Sequence, residues 1–164
     1  LASTGFLSVL YNRLTHNEAL PEAIAGALEE LRRYPDHEET LLALEHAMAL
    51  ASKRSPDADS VEQLGGGWVA EETVAIALYC VQVCNSFEEA IMLAVNHSGD
   101  SDSTGAIAGN LWGVIHGIHA IPAKWSLGLE LHEEITAVAD DLLGVSLETL
   151  DLESPETWRR YPGY

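Results

Sequence analysis

Apolar residues recur at helical spacing along most of the chain. Phe6, Leu7, Leu10 and Leu14 form one stripe, which predicts a helix over residues 2–14. Thr15 to Glu18 reads as a capping box for a second helix, with Pro21 in its first turns. Ala23, Ile24, Ala27, Leu28 and Leu31 are its inward positions. Arg32 and Arg33 lie near its C-terminal end, where cations suit the dipole, and Tyr34-Pro35-Asp36 breaks the pattern. Residues 37–52 resume it through Leu41, Leu44, Ala47, Met48 and Ala51. Residues 53–67 are polar and then Gly-rich, which predicts a surface loop ending in Gly65-Gly66-Gly67.

From Thr73 to Cys84 the chain is apolar almost without interruption, and a helix apolar on all sides belongs in the middle of a bundle. Ser86 to Glu89 is a second capping box, opening a helix through Ala90, Ile91, Leu93, Ala94 and Val95. A further apolar run spans Ala106 to Ile118. Gly109, Gly113 and Gly117 share one of its faces and predict close packing against the central helix. Pro122 stops that run. A last amphipathic helix uses Leu131, Ile135, Val138, Ala139 and Leu142 and ends near Gly144. Ser154-Pro155 predicts one short capped turn, with Trp158 and Tyr161-Pro162 docking on the surface. No segment has strand periodicity, so the fold class is all-α, with residues 1–164 forming a single domain.

Composition changes this picture little. The 164 residues are 47% apolar, enough for a substantial core. The net charge of -18 repels phosphate backbones and anionic membranes, so no nucleic-acid or membrane surface is expected. No apolar run is long enough for a membrane span. Cys80 and Cys84, four apart on an apolar face, read as buried free thiols, which fits a cytoplasmic setting. A start at Leu1, without Met, suggests a fragment or a processed chain.

The candidate chemistry lies in His97-Ser98-Gly99-Asp100-Ser101-Asp102-Ser103-Thr104-Gly105, just before the Ala106 helix. Two carboxylates one residue apart, with hydroxyls beside them at a helix mouth, make an oxygen-rich set suited to a hard cation. Asp102 or Ser103 could equally cap the helix. The first half of an EF-hand loop also fits, but its twelfth position is Leu111 rather than Glu, which excludes it. His97 is placed to support a ligand from behind. His116 and His119 read as packing or surface residues, and Trp112 and Trp125 as core. Glu71 and Glu72 read as first-turn acids favoured by the dipole.

Beyond the aspartates the chain carries a longer ordered string: Gly109-Asn110-Leu111-Trp112-Gly113, then His116-Gly117, then Ile121-Pro122-Ala123-Lys124-Trp125. With Asp100-Ser101-Asp102-Ser103 it resembles the carboxy-terminal signature of the ADP-ribosylglycohydrolase family, which includes dinitrogenase-reductase-activating glycohydrolases. The resemblance implies an all-α bundle with two divalent ions, Mg2+ or Mn2+, in a cleft between helices. It implies that Asp100, Asp102 and the Ser103 hydroxyl are metal ligands, with Ser standing where many members have Thr. It implies hydrolysis at the terminal ribose of ADP-ribose carried by a modified protein. Leu64 to Glu72 resembles the family's Gly-rich cleft segment. There Gly67 would give backbone access, and Trp68 would either pack on the ADP-ribose or cover the end of its own helix.

No catalytic residue is assignable, because the family's earlier Thr-Asp-Asp-like segment and early acidic residue have no counterpart here. The chain therefore looks like the carboxy-terminal portion of a family member, carrying half of a dinuclear site and inactive alone. The alternative is a non-catalytic module that kept the fold. A missing amino-terminal half would leave an exposed apolar face and favour self-association. The chain's ending also resembles that of family members, which puts Tyr164 close to a natural terminus.

Overall fold

A computed structural model describes residues 1–163, and these are all-helical with no strand among them. Tyr164, expected near a natural terminus, lies outside the described residues. The chain forms two compact units, Leu1–Ile121 and Pro122–Tyr164.

The first unit contains α1 (Ala2–Thr15), α2 (Leu20–Leu31), α3 (Glu38–Ala51), α4 (Ala58–Gln63), α5 (Ala70–Val83), α6 (Phe87–Val95) and α7 (Ser101–His116). A 3-10 turn at Ile118–Ala120 closes it. Helix α5 is the expected centre. Every residue from Thr73 to Val81 is buried, and α5 packs against α1, α3, α6 and α7. Burying an Ile76 or Leu78 side chain contributes roughly 1.5–3 kcal/mol each. Two polar contacts bridge this core: the Ser3 and Thr40 hydroxyls meet at 3.0 Å, and the Tyr79 hydroxyl donates to the Ser55 carbonyl at 3.1 Å.

Several local expectations are corrected. The Thr15–Glu18 capping box does not form. Ala19 is the N-cap of α2, Thr15 Oγ1 bonds back to the Asn12 carbonyl, and Glu18 pairs with Arg13 at 2.9 Å. The polar stretch 53–67 is not all loop. Asp57 caps α4 by accepting from the Asp59 and Ser60 amides, and the Ser60 hydroxyl adds a bond to its carboxylate at 2.6 Å. The second capping box is half as expected: Ser86 Oγ accepts from Glu89 N, but Glu89 reaches the Asn85 amide. The glycine face of α7 does not pack on α5. A Cβ at Gly109 would meet Ile91 of α6, one at Gly113 would meet open space, and Gly117 is the positive-φ residue that ends the helix.

The second unit contains α8 (Ala123–Ser126), α9 (His132–Ser146) and α10 (Pro155–Arg160). Ser154 caps α10 ahead of Pro155, as the sequence predicts. Within this unit Asp141 of α9 accepts from Arg160 Nη1 at 2.6 Å and from the Tyr161 hydroxyl at 2.8 Å. Beside these contacts is an apolar groove of about 450 Å3, lined by residues including Val138, Leu142, Val145 and Trp158. Leu131, Ile135, Leu142 and Leu143 are exposed. No helix of the described residues is long and apolar enough to cross a membrane.

Two leucines on α3 separate burial from propensity. Leu44 is fully buried and Leu42 is 66% exposed. Leu44→Ala should cost about 2–5 kcal/mol and Leu42→Ala less than about 0.5, measured by urea unfolding. A pH test addresses the second unit. Bonds from Tyr161 and then Arg160 hold the Asp141 carboxyl below the usual carboxylate range. Their contribution is full above the unfolded value of about 3.9 and is lost as pH falls through the lower folded value. Trp158 fluorescence should therefore show an acid transition below about pH 4 that Asp141→Asn removes.

Candidate active site

The loop between α6 and α7 is shaped by contacts distant in sequence. Gly99 lies flush against the Gly66 carbonyl, where a Cβ on residue 99 would sit 1.8 Å from that oxygen. The next amide, Asp100 N, donates to the same carbonyl at 2.7 Å. Gly67 has φ +70 and is buried; a Cβ there would meet Thr104 Cγ2 at 2.8 Å and Asp100 O at 3.5 Å. The glycine run therefore serves first to let two backbone segments touch. Glu72, expected only to favour the dipole, accepts from Gly66 N at 3.1 Å and closes over Gly65. Thr73 Oγ1 donates to the Gly67 carbonyl at 2.8 Å.

Inside the loop, Gly99 N–H donates to His97 Nδ1 at 3.1 Å, which places the imidazole proton on Nε2. Nε2 faces Thr104 Oγ1 at 3.0 Å, and that buried hydroxyl donates to the Ala94 carbonyl at 2.7 Å. His97 thus uses both nitrogens to tie the loop to α7. Ser101 Oγ donates to the Val95 carbonyl at 2.8 Å.

Asp100 occupies the N-cap position of α7, at φ -78 and ψ 83, yet makes no well-formed side-chain cap bond. Neighbouring groups, the Asp102 side chain first and then the Ser103 hydroxyl, hold its carboxyl below the usual carboxylate range. Two carboxyls and one hydroxyl so placed form an all-oxygen donor set, the kind a hard divalent cation takes. Among the described residues no group of three or more His, Cys, Asp or Glu side chains is placed to hold a metal, so this set is partial.

Asp100, Ser103, Gly67 and Trp68 line one cleft of about 490 Å3, walled by Leu7 of α1, Val74 of α5 and Ile107 of α7. Asp102 is exposed and does not line it. Trp68 is 74% exposed, with its indole over Gly66. The remaining sequence candidates lie apart from the cleft. His116 stacks at 4.2 Å on the buried Trp112, and burial lowers its pKa. Glu62 carries no expectation from the sequence. Its carboxylate accepts from Ser98 N at 2.9 Å and Ser98 Oγ at 2.6 Å. An acidic residue three positions before a glycine run is the only local signal for it.

This arrangement defines a class: an all-α protein in which two aspartates one residue apart open a helix beside an apolar-walled cleft. Residues 1–150 match the ADP-ribosylglycohydrolase family, and the chain belongs to that family. It is 27% identical over 162 residues to ADP-ribosylarginine hydrolase Tri1 of Pseudomonas putida (strain GB-1), covering 94% of this chain and 44% of the relative. It is 34% identical over 77 residues to the ADP-ribosyl-[dinitrogen reductase] glycohydrolase of Rhodospirillum rubrum, covering 46% and 26%. It is 29% identical over 93 residues to ADP-ribosylhydrolase ARH3 of Homo sapiens, covering 50% and 26%. The chain thus spans less than half the length of these curated relatives. No solved structure matches it.

The glycines give a paired test. Gly99→Ala must push the Gly66 carbonyl away and should destabilise the first unit by about 2 kcal/mol or more. Gly113→Ala, with open space around it, should stabilise by up to about 1 kcal/mol. Urea unfolding of the two variants checks both signs.

Proposed function

We propose that the intact protein is a metal-dependent hydrolase that removes ADP-ribose from modified proteins, cleaving the glycosidic bond at the terminal ribose. On this reading the chain supplies half of a dinuclear Mg2+ or Mn2+ site through Asp100, Asp102 and Ser103. The observation that carries it is that Asp100 and Ser103 line the same cleft as Gly67 and Trp68. Family membership and the names of the relatives support the reaction class.

The donor chemistry fits the ion. Asp100, held below the usual carboxylate range, offers a charged oxygen that a divalent cation can neutralise. When bound, the metal supplies Lewis-acid polarisation and lowers the pKa of a coordinated water. The chain's own residues have simpler roles. Asp100 and Ser103 present oxygens to the cleft. Leu7, Val74 and Ile107 exclude water from its walls. Trp68 offers an aromatic face to a sugar or base.

The donor set is partial and the match covers less than half of each relative named above, which supports a further segment that completes the site. Self-association through the exposed apolar residues of α9 is the competing arrangement. Cys80 and Cys84 are buried free thiols, with burial pushing the Cys84 pKa up to about 12 and that of Cys80 higher, which suits a reducing cytoplasm. A second reading, a binding module without turnover, also draws support from the partial donor set.

The chain alone should bind Mn2+ weakly, in the millimolar range typical of few-ligand sites (~1 mM), because three donors leave a hard cation largely hydrated. Asp100→Ala should abolish that binding, and hydrolysis of ADP-ribosyl-arginine by the chain alone should be negligible. Turnover by this chain that Asp100→Ala abolishes would overturn the half-site. Absence of Mn2+ binding in a longer chain with the missing segment restored would favour the binding module.

A further inference from the structure

Glu62 lies in the last turn of α4, the end of a helix dipole that disfavours a carboxylate. It is exposed, and no Lys or Arg pairs with it among the described residues. Its partner, Ser98, lies thirty-six residues away. One carboxylate oxygen accepts the Ser98 N–H at 2.9 Å and the other accepts the Ser98 hydroxyl at 2.6 Å. The carboxylate therefore grips both donors of a single residue, a charge-assisted two-point bond that sets direction as well as distance.

The grip has a consequence two residues on. Ser98, Gly99 and Asp100 form a short strap laid on the 62–66 segment. Ser98 is held by Glu62, Gly99 rests against the Gly66 carbonyl, and Asp100 N donates to it. With both ends of the strap pinned, the Asp100 backbone is held at φ -78 and ψ 83, with the residue lining the cleft beside Ser103.

We propose that Glu62 is a positioning residue for the cation site: it fixes the 98–100 strap through Ser98 and so aims the Asp100 carboxylate. It touches no candidate ligand itself. This inference rests on the metal-site reading above. The bonds from Ser98 also hold the Glu62 carboxyl below the usual carboxylate range, so the clamp stays charged through the neutral range.

The experiment uses the chain as it stands, with amide exchange by NMR and MnCl2 as probe. In Glu62→Ala the Ser98 and Asp100 amides should exchange about tenfold faster, while the urea midpoint stays with the parent. Mn2+ broadening centred on residues 100–103 should then need about tenfold more metal, the loss expected when a support behind a ligand is removed. Ser98→Ala, which deletes only the hydroxyl arm, should give a smaller loss, and Ser98→Thr should restore parent behaviour. Glu62→Gln keeps the shape without the charge and serves if the alanine variant fails to fold.

Unchanged exchange at Ser98 and Asp100 in Glu62→Ala overturns the clamp. Faster exchange with unchanged Mn2+ affinity overturns the positioning role and leaves only a structural brace. If the parent shows no Mn2+ broadening at residues 100–103, the metal-site reading fails and the positioning role with it, while the exchange data still decide whether Glu62 holds the strap.

Discussion

The contact between the Gly66 carbonyl and the backbone at Gly99 and Asp100 is the constraint on which the site depends. A hydrogen bond of 2.7 Å and a face without room for a methyl group bring together two segments with no helix in common. One segment ends in the Gly67-Trp68 wall and runs into α5. The other carries Asp100 into α7. Because α5 is buried along its whole inward length, the first segment starts from a rigid anchor, and the second inherits that rigidity through one carbonyl.

Around this contact polar groups are used economically. Glu62, Glu72, His97, Thr73 and Thr104 each satisfy backbone or hydroxyl partners in the same small region. Buried or half-buried polar groups without partners would cost about 1–3 kcal/mol apiece, so such a network also favours one loop conformation. Asp100 and Asp102 stand apart from it. Asp100 instead lines the cleft, where its lowered carboxyl pKa marks it as a charged oxygen donor.

The helices were largely legible because their signal is local. The stripe of Phe6, Leu10 and Leu14, the nearly apolar Thr73–Cys84 run and the Ser86 and Ser154 caps each declare themselves within a turn or two. Failures occurred where two local readings were equally good. Thr15 to Glu18 has capping-box composition, but Arg13 draws Glu18 back and Ala19 becomes the cap. Residues 58–63 look like loop because their polar content is high, yet the Asp57 cap and the buried Val61 suffice for a short helix. The α7 glycines share a face, but sharing a face does not say whether a neighbour is there.

From the residue order alone came the all-α class, the family, and Asp100, Asp102 and Ser103 as one oxygen-rich group at a helix mouth. Those come from spacing within single segments, which the chain cannot alter by folding. Tertiary structure alone decided that Glu62 reaches Ser98, that Gly99 must be glycine because of Gly66, and that Trp68 and Asp100 share a cleft while Asp102 stays outside it. Each of those needs a partner thirty or so residues away (about one helix-loop-helix unit), and no periodicity in a single segment records which distant atom will arrive.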